Sequence, residues 1–372
     1  MGSPSWPHPS WIEIDLKQLK SNIATIQSYI GKSLYCLPVK ANAYGHGLKK
    51  IGKAAEEAGV DYIAVAHLQE GIALREANVR LPILVLGAIH EDQILDLINF
   101  NLEFTISSTF KADLVAEKCK KKWQKCGVHI EVDTGMQRTG VRPSTATSLF
   151  THLQKLPCFE IKGIYSHLAT ADRPNDPFAL KQIESFLSLV QQPPFLESPI
   201  LRHIANSGGT AFFPHAHLDM VRPTLMTLGY LPPEVPEALA NIKPCFSLKT
   251  KVSYFKVVEP GTGVSYGHSY VTPAKTRIVT VPVGYGDGYR RCLSNQGSVL
   301  IRSKKFPIVG TICMDQFMVD VGQHEVRVGD EVVLIGKQGE EEILLEEIAK
   351  LCQTNSYEIL CGFNDRMPRI YL

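Results

Sequence analysis

The 372-residue sequence lacks most of the features that would place it in a specialised class. Its nine cysteines are odd in number, with no CxxC pair and no histidine at ligand spacing. That pattern argues against a disulfide framework and against a zinc site, and for a reducing compartment. No metal is expected. No apolar run reaches about 18 residues, so no membrane-spanning segment is expected. The N-terminus, MGSPSWPHPSW, has neither a basic start nor an apolar stretch, so it does not read as a signal peptide and the chain is expected to be cytoplasmic. The formal net charge is only +2, which gives no reason to expect nucleic acid or a charged membrane as partner. The one basic cluster, KCKKKWQK (118–125), reads as the solvated face of a helix. There is no GxGxxG fingerprint, no P-loop, no low-complexity tract and no repeat beyond an alternation of strands and helices.

What is present is an ordinary globular composition, 44% hydrophobic and 20% charged, long enough for two domains. Between residues 34 and 223 short apolar runs alternate with helical periodicity: LYCLPV (34–39), YIAVA (62–66), PILVLGA (82–88), EFTIS (103–107), VHIEVD (128–133), EIKGIYSHL (160–168), ILRHIAN (200–206) and HLDMVR (217–222). Eight such units fit a (β/α)8 barrel of the TIM type. A doubly wound open sheet would show fewer strands and a glycine-rich phosphate turn. Ahead of them, WIEIDLKQLKSNIATIQSYIG (11–31) starts as an alternating strand and continues as an amphipathic helix. After NIKPC (241–245) the texture becomes mostly β, with runs at 248–258, 276–284, 298–303, 318–322 and 330–336 and one helix at 344–352. The expected domains are therefore a barrel over 11–243 and a C-terminal β domain over 244–372, with residues 1–10 packing on the latter.

Polar residues gather at the expected strand C-termini: Lys40, Asp133, His167, Asn206, Ser207 and Arg222. In a barrel these ends share the face that carries the chemistry. A strand-end lysine is ordinarily solvated. Shielded at a barrel mouth it can instead lose its proton and attack a carbonyl. LPVKANAYGHG (37–47) follows Lys40 with small residues, which would leave room for a flat ring and a phosphate.

VKANAYGHG resembles the cofactor-lysine motif of the alanine racemase family. DTGMQRTG (133–140), YSHLATAD (165–172), NSGG (206–209), MVRP (220–223), GTGVSYG (261–267), VGYGDGY (283–289), GTICMDQFMVDV (310–321) and RMPR (366–369) are similar to that family's motifs, in its chain order. The resemblance runs from about residue 10 to the C-terminus. It implies a pyridoxal phosphate (PLP)-dependent isomerase that interconverts L- and D-alanine with two bases and supplies D-alanine for peptidoglycan. The same fold could serve a serine or broad-specificity racemase. A non-catalytic PLP-binding protein would lack the β domain and its tyrosine. A barrel-type amino-acid decarboxylase would carry a different β-domain motif set.

Carried over residue by residue, the resemblance implies that Lys40 holds PLP as a Schiff base and is one base, and that Tyr266 is the other. Tyr44, Ser207 and the backbone of Thr224 and Leu225 would bind the phosphate, and Asn206 would position the cofactor. Arg222 would face the pyridine nitrogen, buttressed by His167. A guanidinium donates without readily giving up a proton, so the ring nitrogen would stay largely unprotonated. Arg138 and the N–H of Met314 would bind the substrate carboxylate, and Tyr285 and Asp315 would narrow the entrance. The site would be shared across a homodimer, each β domain covering the other subunit's barrel mouth.

Four positions depart from the family pattern. Glu131 stands where many members carry a carbamylated lysine that orients the substrate-binding arginine. It brings the charge without the modification, but with a shorter reach, so direct contact with Arg138 is not expected. Thr224 and Leu225 replace a frequent Gly-Ile, and a positive φ there would strain threonine. Asp365 replaces a phosphate-binding tyrosine found in some members and is expected to point away from the phosphate.

Overall fold

The computed structural model describes residues 9–120, 125–232 and 234–372. The chain divides into two compact units, one made of residues 18–43 and 47–244, the other of the segment ending at Lys17, residues 44–46 and residues 245–372. Among the described residues no helix is long and apolar enough to cross a membrane.

The strands, in chain order, are β1 (Ser10–Ile14), β2 (Leu34–Pro38), β3 (Tyr62–Val65), β4 (Ile83–Val85), β5 (Glu103–Ile106), β6 (Cys126–Glu131), β7 (Phe159–Tyr165), β8 (Leu201–His203), β9 (Met220–Val221), β10 (Phe246–Lys251), β11 (Tyr254–Val258), β12 (Gly263–Val264), β13 (Tyr270–Val271), β14 (Thr276–Val281), β15 (Ser298–Ile301), β16 (Lys304–Val309), β17 (Phe317–Asp320), β18 (Glu331–Gln338), β19 (Glu341–Ile343) and β20 (Arg369–Tyr371).

In the first unit β2 to β9 form one parallel sheet in the order β8-β7-β6-β5-β4-β3-β2-β9. Backbone bonds from Asp219 N–H to Arg202 O (3.1 Å) and from Arg222 N–H to Ala205 O (2.8 Å) join its two ends, so the sheet is the expected barrel. Strands such as β3 and β4 are buried at every residue, because helices cover one face and the barrel interior the other. Cys36, Tyr62, Ala64, Leu84 and Met220 pack together in one buried cluster. The helix Pro177–Val190 starts at Asp176, whose carboxylate accepts from the N–H groups of Phe178 and Ala179, with Pro177 at the first helical position.

The last two barrel strands are shorter than the sequence suggests, three and two residues against the apolar runs 200–206 and 217–222. Beyond His203 the chain leaves the ladder to start the helix Ser207–Phe212. The helix under the basic cluster ends at Lys120, and Lys118 on it pairs with Glu91 at 2.8 Å. Residues 121–124 of that cluster lie outside the described residues, as do residues 1–8 of the segment expected to pack on the β domain.

In the second unit the main sheet runs β11-β14-β17-β16-β15-β18-β10-β1-β20, with β19 on β18 and a separate β12-β13 pair. β1, which sequence reading puts at the start of the barrel, pairs here with β10 and β20. The apolar run 248–258 divides at Val252 and Ser253, whose N–H groups donate to Asp330 O just ahead of β18 (2.9 Å) and to Thr280 O on β14 (3.0 Å). Besides the expected helix, found at Leu345–Leu351, a second one spans Ser356–Gly362, capped by Asn355.

Candidate active site

β2 delivers Lys40 to the C-terminal end of the barrel, and Val39 N–H donates to Ala64 O at 2.8 Å to hold the strand end. The chain then enters the left-handed region four times in succession, at Ala41 (φ 53°), Asn42 (55°), Ala43 (52°) and Tyr44 (51°). Each such residue costs roughly 1–2 kcal/mol because Cβ crowds the following carbonyl. The turn is held by Glu70, whose carboxylate accepts from Ala41 N–H (2.6 Å) on one oxygen and from Ala66 N–H (2.8 Å) on the other. Asn42 accepts from Leu48 N–H through its side chain (2.8 Å) and from Gly47 N–H through its carbonyl (2.9 Å). The small residues after Lys40 thus have a local cause besides room for a ring, since β-branched residues would not take this backbone. Sequence reading missed Glu70, although its place in the first turn of the helix Leu68–Glu76 marks it as a capping acid. Tyr44, in the second unit, is nearly buried and packs against Tyr357 with ring centroids 5.8 Å apart.

Arg222 follows β9 and is 4% exposed. Its guanidinium donates to His203 Nδ1 (2.7 Å) and Ser166 O (2.7 Å), while the expected buttress, His167 Nδ1, lies at 3.5 Å. The close partner is therefore His203, which sequence reading missed. Its place on a barrel strand two residues from Leu201 marks it as inward-facing. Tyr165 stacks on His203 with centroids 5.0 Å apart, and its ring lies 5.2 Å from the guanidinium carbon of Arg222. Burial, then Arg222, push His167 down to about 3. Burial, Arg222 and His129 hold His203 well below its ordinary value too. Both imidazoles are neutral at pH 7. Burial also lowers the pKa of Arg222 itself.

Ser207 begins the helix Ser207–Phe212, and its Oγ accepts from the N–H groups of Thr224 (2.9 Å) and Met226 (3.5 Å). A hydroxyl that accepts twice keeps its own proton for a third group, such as an anion. Asn206 caps the helix by accepting from Gly209 N–H (3.0 Å) and donates to Leu168 O (3.1 Å), so it shapes the loop. Gly208 is required by close approach, since a Cβ there would lie 2.2 Å from Ala171 O. Neither Thr224 nor Leu225 has a positive φ, so the strain that would come with one does not arise.

Glu131 ends β6, 6% exposed, and Thr139 Oγ1 donates to its Oε1 at 2.9 Å. Burial raises its pKa, opposed by the Thr139 bond and by the charge of Arg138. The direct partner is thus Thr139, and Arg138, an exposed side chain, acts on Glu131 through space.

The second unit brings Tyr266, Tyr285, Met314 and Asp315 into neighbouring loops. Thr311 Oγ1 donates to Tyr266 O (3.0 Å), and Ser265, at φ 64°, donates to Thr311 O (2.6 Å). Tyr285 N–H donates to Cys313 O (3.1 Å) and Gly286 N–H to Met314 O (2.8 Å). Tyr266 is 73% exposed and borders a groove of about 420 Å³ that Lys256, Ser265 and Cys313 also line. Asp315 accepts from Arg366 at 2.7 Å, and Arg366 also pairs with the buried Asp287 at 3.3 Å. Arg366 was not singled out from the sequence, although it opens the RMPR motif. Asp365 is exposed and pairs with Arg369 at 3.4 Å.

In the barrel unit, a primary amine at a strand end, a hydroxyl with its proton to give and a guanidinium that only donates suit an aldehyde-bearing ring with an anionic group and a ring acceptor. The comparisons with known proteins agree. Family models described as "Alanine racemase, N-terminal domain" and "Alanine racemase, C-terminal domain" match residues 14–232 and 245–371. The curated alanine racemase of Halothermothrix orenii is 42% identical over 366 residues, covering 98% of this chain and 97% of that protein. The solved alanine racemase of Clostridium difficile 630 superposes with a TM-score of 0.93 at 36% identity, covering 99% of this chain and 97% of that one. The Bacillus anthracis alanine racemase, solved with bound L-Ala-P, gives a TM-score of 0.92 at 34% identity, covering 100% of this chain and 96% of that one. From its first barrel helix to its last strand, the chain belongs to the alanine racemase family.

Proposed function

We propose that this protein is a PLP-dependent alanine racemase, interconverting L- and D-alanine. The observation that carries this reading is the setting of Lys40, at a barrel strand end on four left-handed residues fixed by Glu70. So much local strain is kept where geometry matters to chemistry. The residues present fit PLP: the Lys40 amine for its aldehyde, the Ser207 and Tyr44 hydroxyls and the Leu225 backbone for its phosphate, Arg222 for its ring nitrogen and Asn206 to position it, whereas the Thr224 N–H, expected to bind the phosphate, donates to Ser207 Oγ. Bound PLP supplies an electron sink for the charge left by the departing α-proton.

The chain's own groups do the proton work. Lys40 Nζ takes or returns the α-proton on one face and Tyr266 Oη on the other, as inversion requires. Arg222, a poor proton donor held beside neutral His203 and His167, disfavours protonation of the ring nitrogen and so favours simple proton return. Arg138 and Met314 N–H hold the substrate carboxylate, Glu131 supplies a negative charge near Arg138, and Tyr285 and Asp315 restrict the entrance to a small side chain.

The barrel unit, residues 18–43 and 47–244, is the cofactor domain on this reading, and the second unit, through residues 245–372, carries the second base. The exposure of Tyr266 supports a homodimer in which this face of one subunit completes the barrel site of the other, because a working phenolate base needs cover from water. The product, D-alanine, would serve peptidoglycan synthesis in the cytoplasm. The test is to mix purified protein, PLP and L-alanine and follow D-alanine. Lys40→Ala and Tyr266→Phe should each abolish racemisation, and normal turnover by either overturns the two-base assignment.

A further inference from the structure

Arg222 is the first member of a polar chain that crosses the barrel interior. Its Nη1 donates to His203 Nδ1 at 2.7 Å. His203 Nε2 lies 3.1 Å from His129 Nδ1. His129 Nε2 lies 2.9 Å from Glu103 Oε2. Both histidines are 0% exposed, and the Glu103 side chain is 13% exposed. Glu103 opens β5 and Arg222 follows β9, so the chain runs from the N-terminal to the C-terminal end of the strands.

Its polarity has one solution. A guanidinium can only donate, so His203 Nδ1 must be bare. A neutral imidazole then carries its proton on Nε2, and His203 donates to His129 Nδ1. His129 must in turn be protonated on Nε2, where it meets a carboxylate that only accepts. No other arrangement of protons satisfies all three bonds. The burial of His203 next to Arg222 keeps it neutral, in agreement.

The surrounding residues are shaped to this chain. A Cβ on Gly163 would lie 2.5 Å from His129 Nδ1, so the strand is reduced to glycine where the ring passes. Tyr165 stacks on His203 and is itself fixed by a 2.8 Å bond to Thr105. Well-packed apolar residues would fill a barrel interior with less risk, because a half-satisfied buried polar chain is costly.

We infer that Glu103 is a positioning residue for Arg222, acting through His129 and His203 from the far end of the barrel. Removing its acceptor frees His129 to adopt the other tautomer. His203 then loses the partner that holds its proton on Nε2. A proton on His203 Nδ1 would face the guanidinium donor-to-donor and push Arg222 out of place. This inference rests on the proposed role of Arg222 beside the cofactor ring. The tautomers can nevertheless be read without cofactor or substrate.

The test uses the full chain labelled with 15N-histidine, with and without PLP, and reads protonation at each ring nitrogen by 1H–15N NMR. Wild type should show His203 and His129 as neutral Nε2–H tautomers. Glu103→Met, close in volume and without an acceptor, should give Nδ1–H signal at His203. Its alanine kcat should fall about tenfold with KM within about twofold. Glu103→Gln, whose amide oxygen still accepts, should keep the wild-type tautomers and most of kcat. An Nδ1–H tautomer at His203 in the wild type overturns the inference even if no variant folds. Unchanged tautomers and kcat in Glu103→Met also overturn it. A protein with the expected tautomers that leaves alanine untouched counts against the proposed activity and not against the Glu103 chain.

Discussion

Glu131 Oε1 accepts a hydrogen bond from Thr139 Oγ1 at 2.9 Å, which ties a buried carboxylate to the residue that follows Arg138 in the chain. On the proposed reading Glu131 presents its charge to Arg138 through space. Burial raises its pKa, so its charge is held at some cost to the fold. Glu131→Gln should therefore leave the urea midpoint unchanged or higher, while kcat/KM for alanine falls about tenfold from the loss of one charge interaction. Added bicarbonate should alter neither protein. An unchanged kcat/KM in the variant would remove Glu131 from the substrate site.

Arg222 makes two 2.7 Å bonds that diverge, to His203 and to Ser166 O, and only a forked group reaches both. Arg222→Lys keeps the charge and loses the fork. One lost bond to a charged group is about 1.5–3 kcal/mol, or roughly 10–150-fold in kcat. Rate measurements at saturating PLP separate this from weaker cofactor binding. A lysine variant within twofold of wild type would show that charge alone suffices at this position.

Much of this was legible in the sequence because barrel strands are short, apolar and bounded by polar ends. Lys40, His167 and Arg222 stand out as polar groups closing apolar runs. His203 and Glu103 did not, since each lies within or at the start of a run and its partners are far away in sequence. β1 was misplaced because an alternating strand fits the edge of either unit, and its partners β10 and β20 follow more than 200 residues later. Glu70 was missed because a helix-capping acid looks the same whether it caps only its own helix or also fixes a strained turn.

The left-handed turn gives a sharper local prediction. Ala43 is 1% exposed at φ 52°, ψ 49°. Ala43→Val puts a β-branched residue into a backbone it disfavours, which adds to a strain of roughly 1–2 kcal/mol already present for alanine. The urea midpoint of the barrel unit should fall, and Lys40 should lose its PLP absorbance at lower denaturant than in wild type. Ala41→Gly, which relieves the backbone, should leave both readings near wild type. A valine variant with the wild-type midpoint would mean that the turn is not under strain.

Two histidines, the buried His203 and the half-buried His167, weaken the fold on the acid side. His167 is held at about 3, and His203 is also lowered, against an ordinary value of 6.5. A lowered pKa means that the unfolded chain binds more protons in this window. Stability is therefore full above pH 6.5 and is lost as the pH falls toward 3, by up to about 1.4 kcal/mol per pH unit for each histidine. Glu131 has the opposite sign: its raised carboxyl takes up its proton in the folded state first, so it adds stability as the pH falls towards 4.5 and partly offsets the histidines. Two lowered histidines against one raised carboxyl leave a net loss of stability with acid among these three groups. Urea midpoints measured between pH 5 and 6.5 should fall with acid, and His167→Gln should flatten the slope by about one proton. Parallel slopes for wild type and variant would show that His167 is already protonated in the folded protein, and with it the neutral setting of Arg222 would have to be given up.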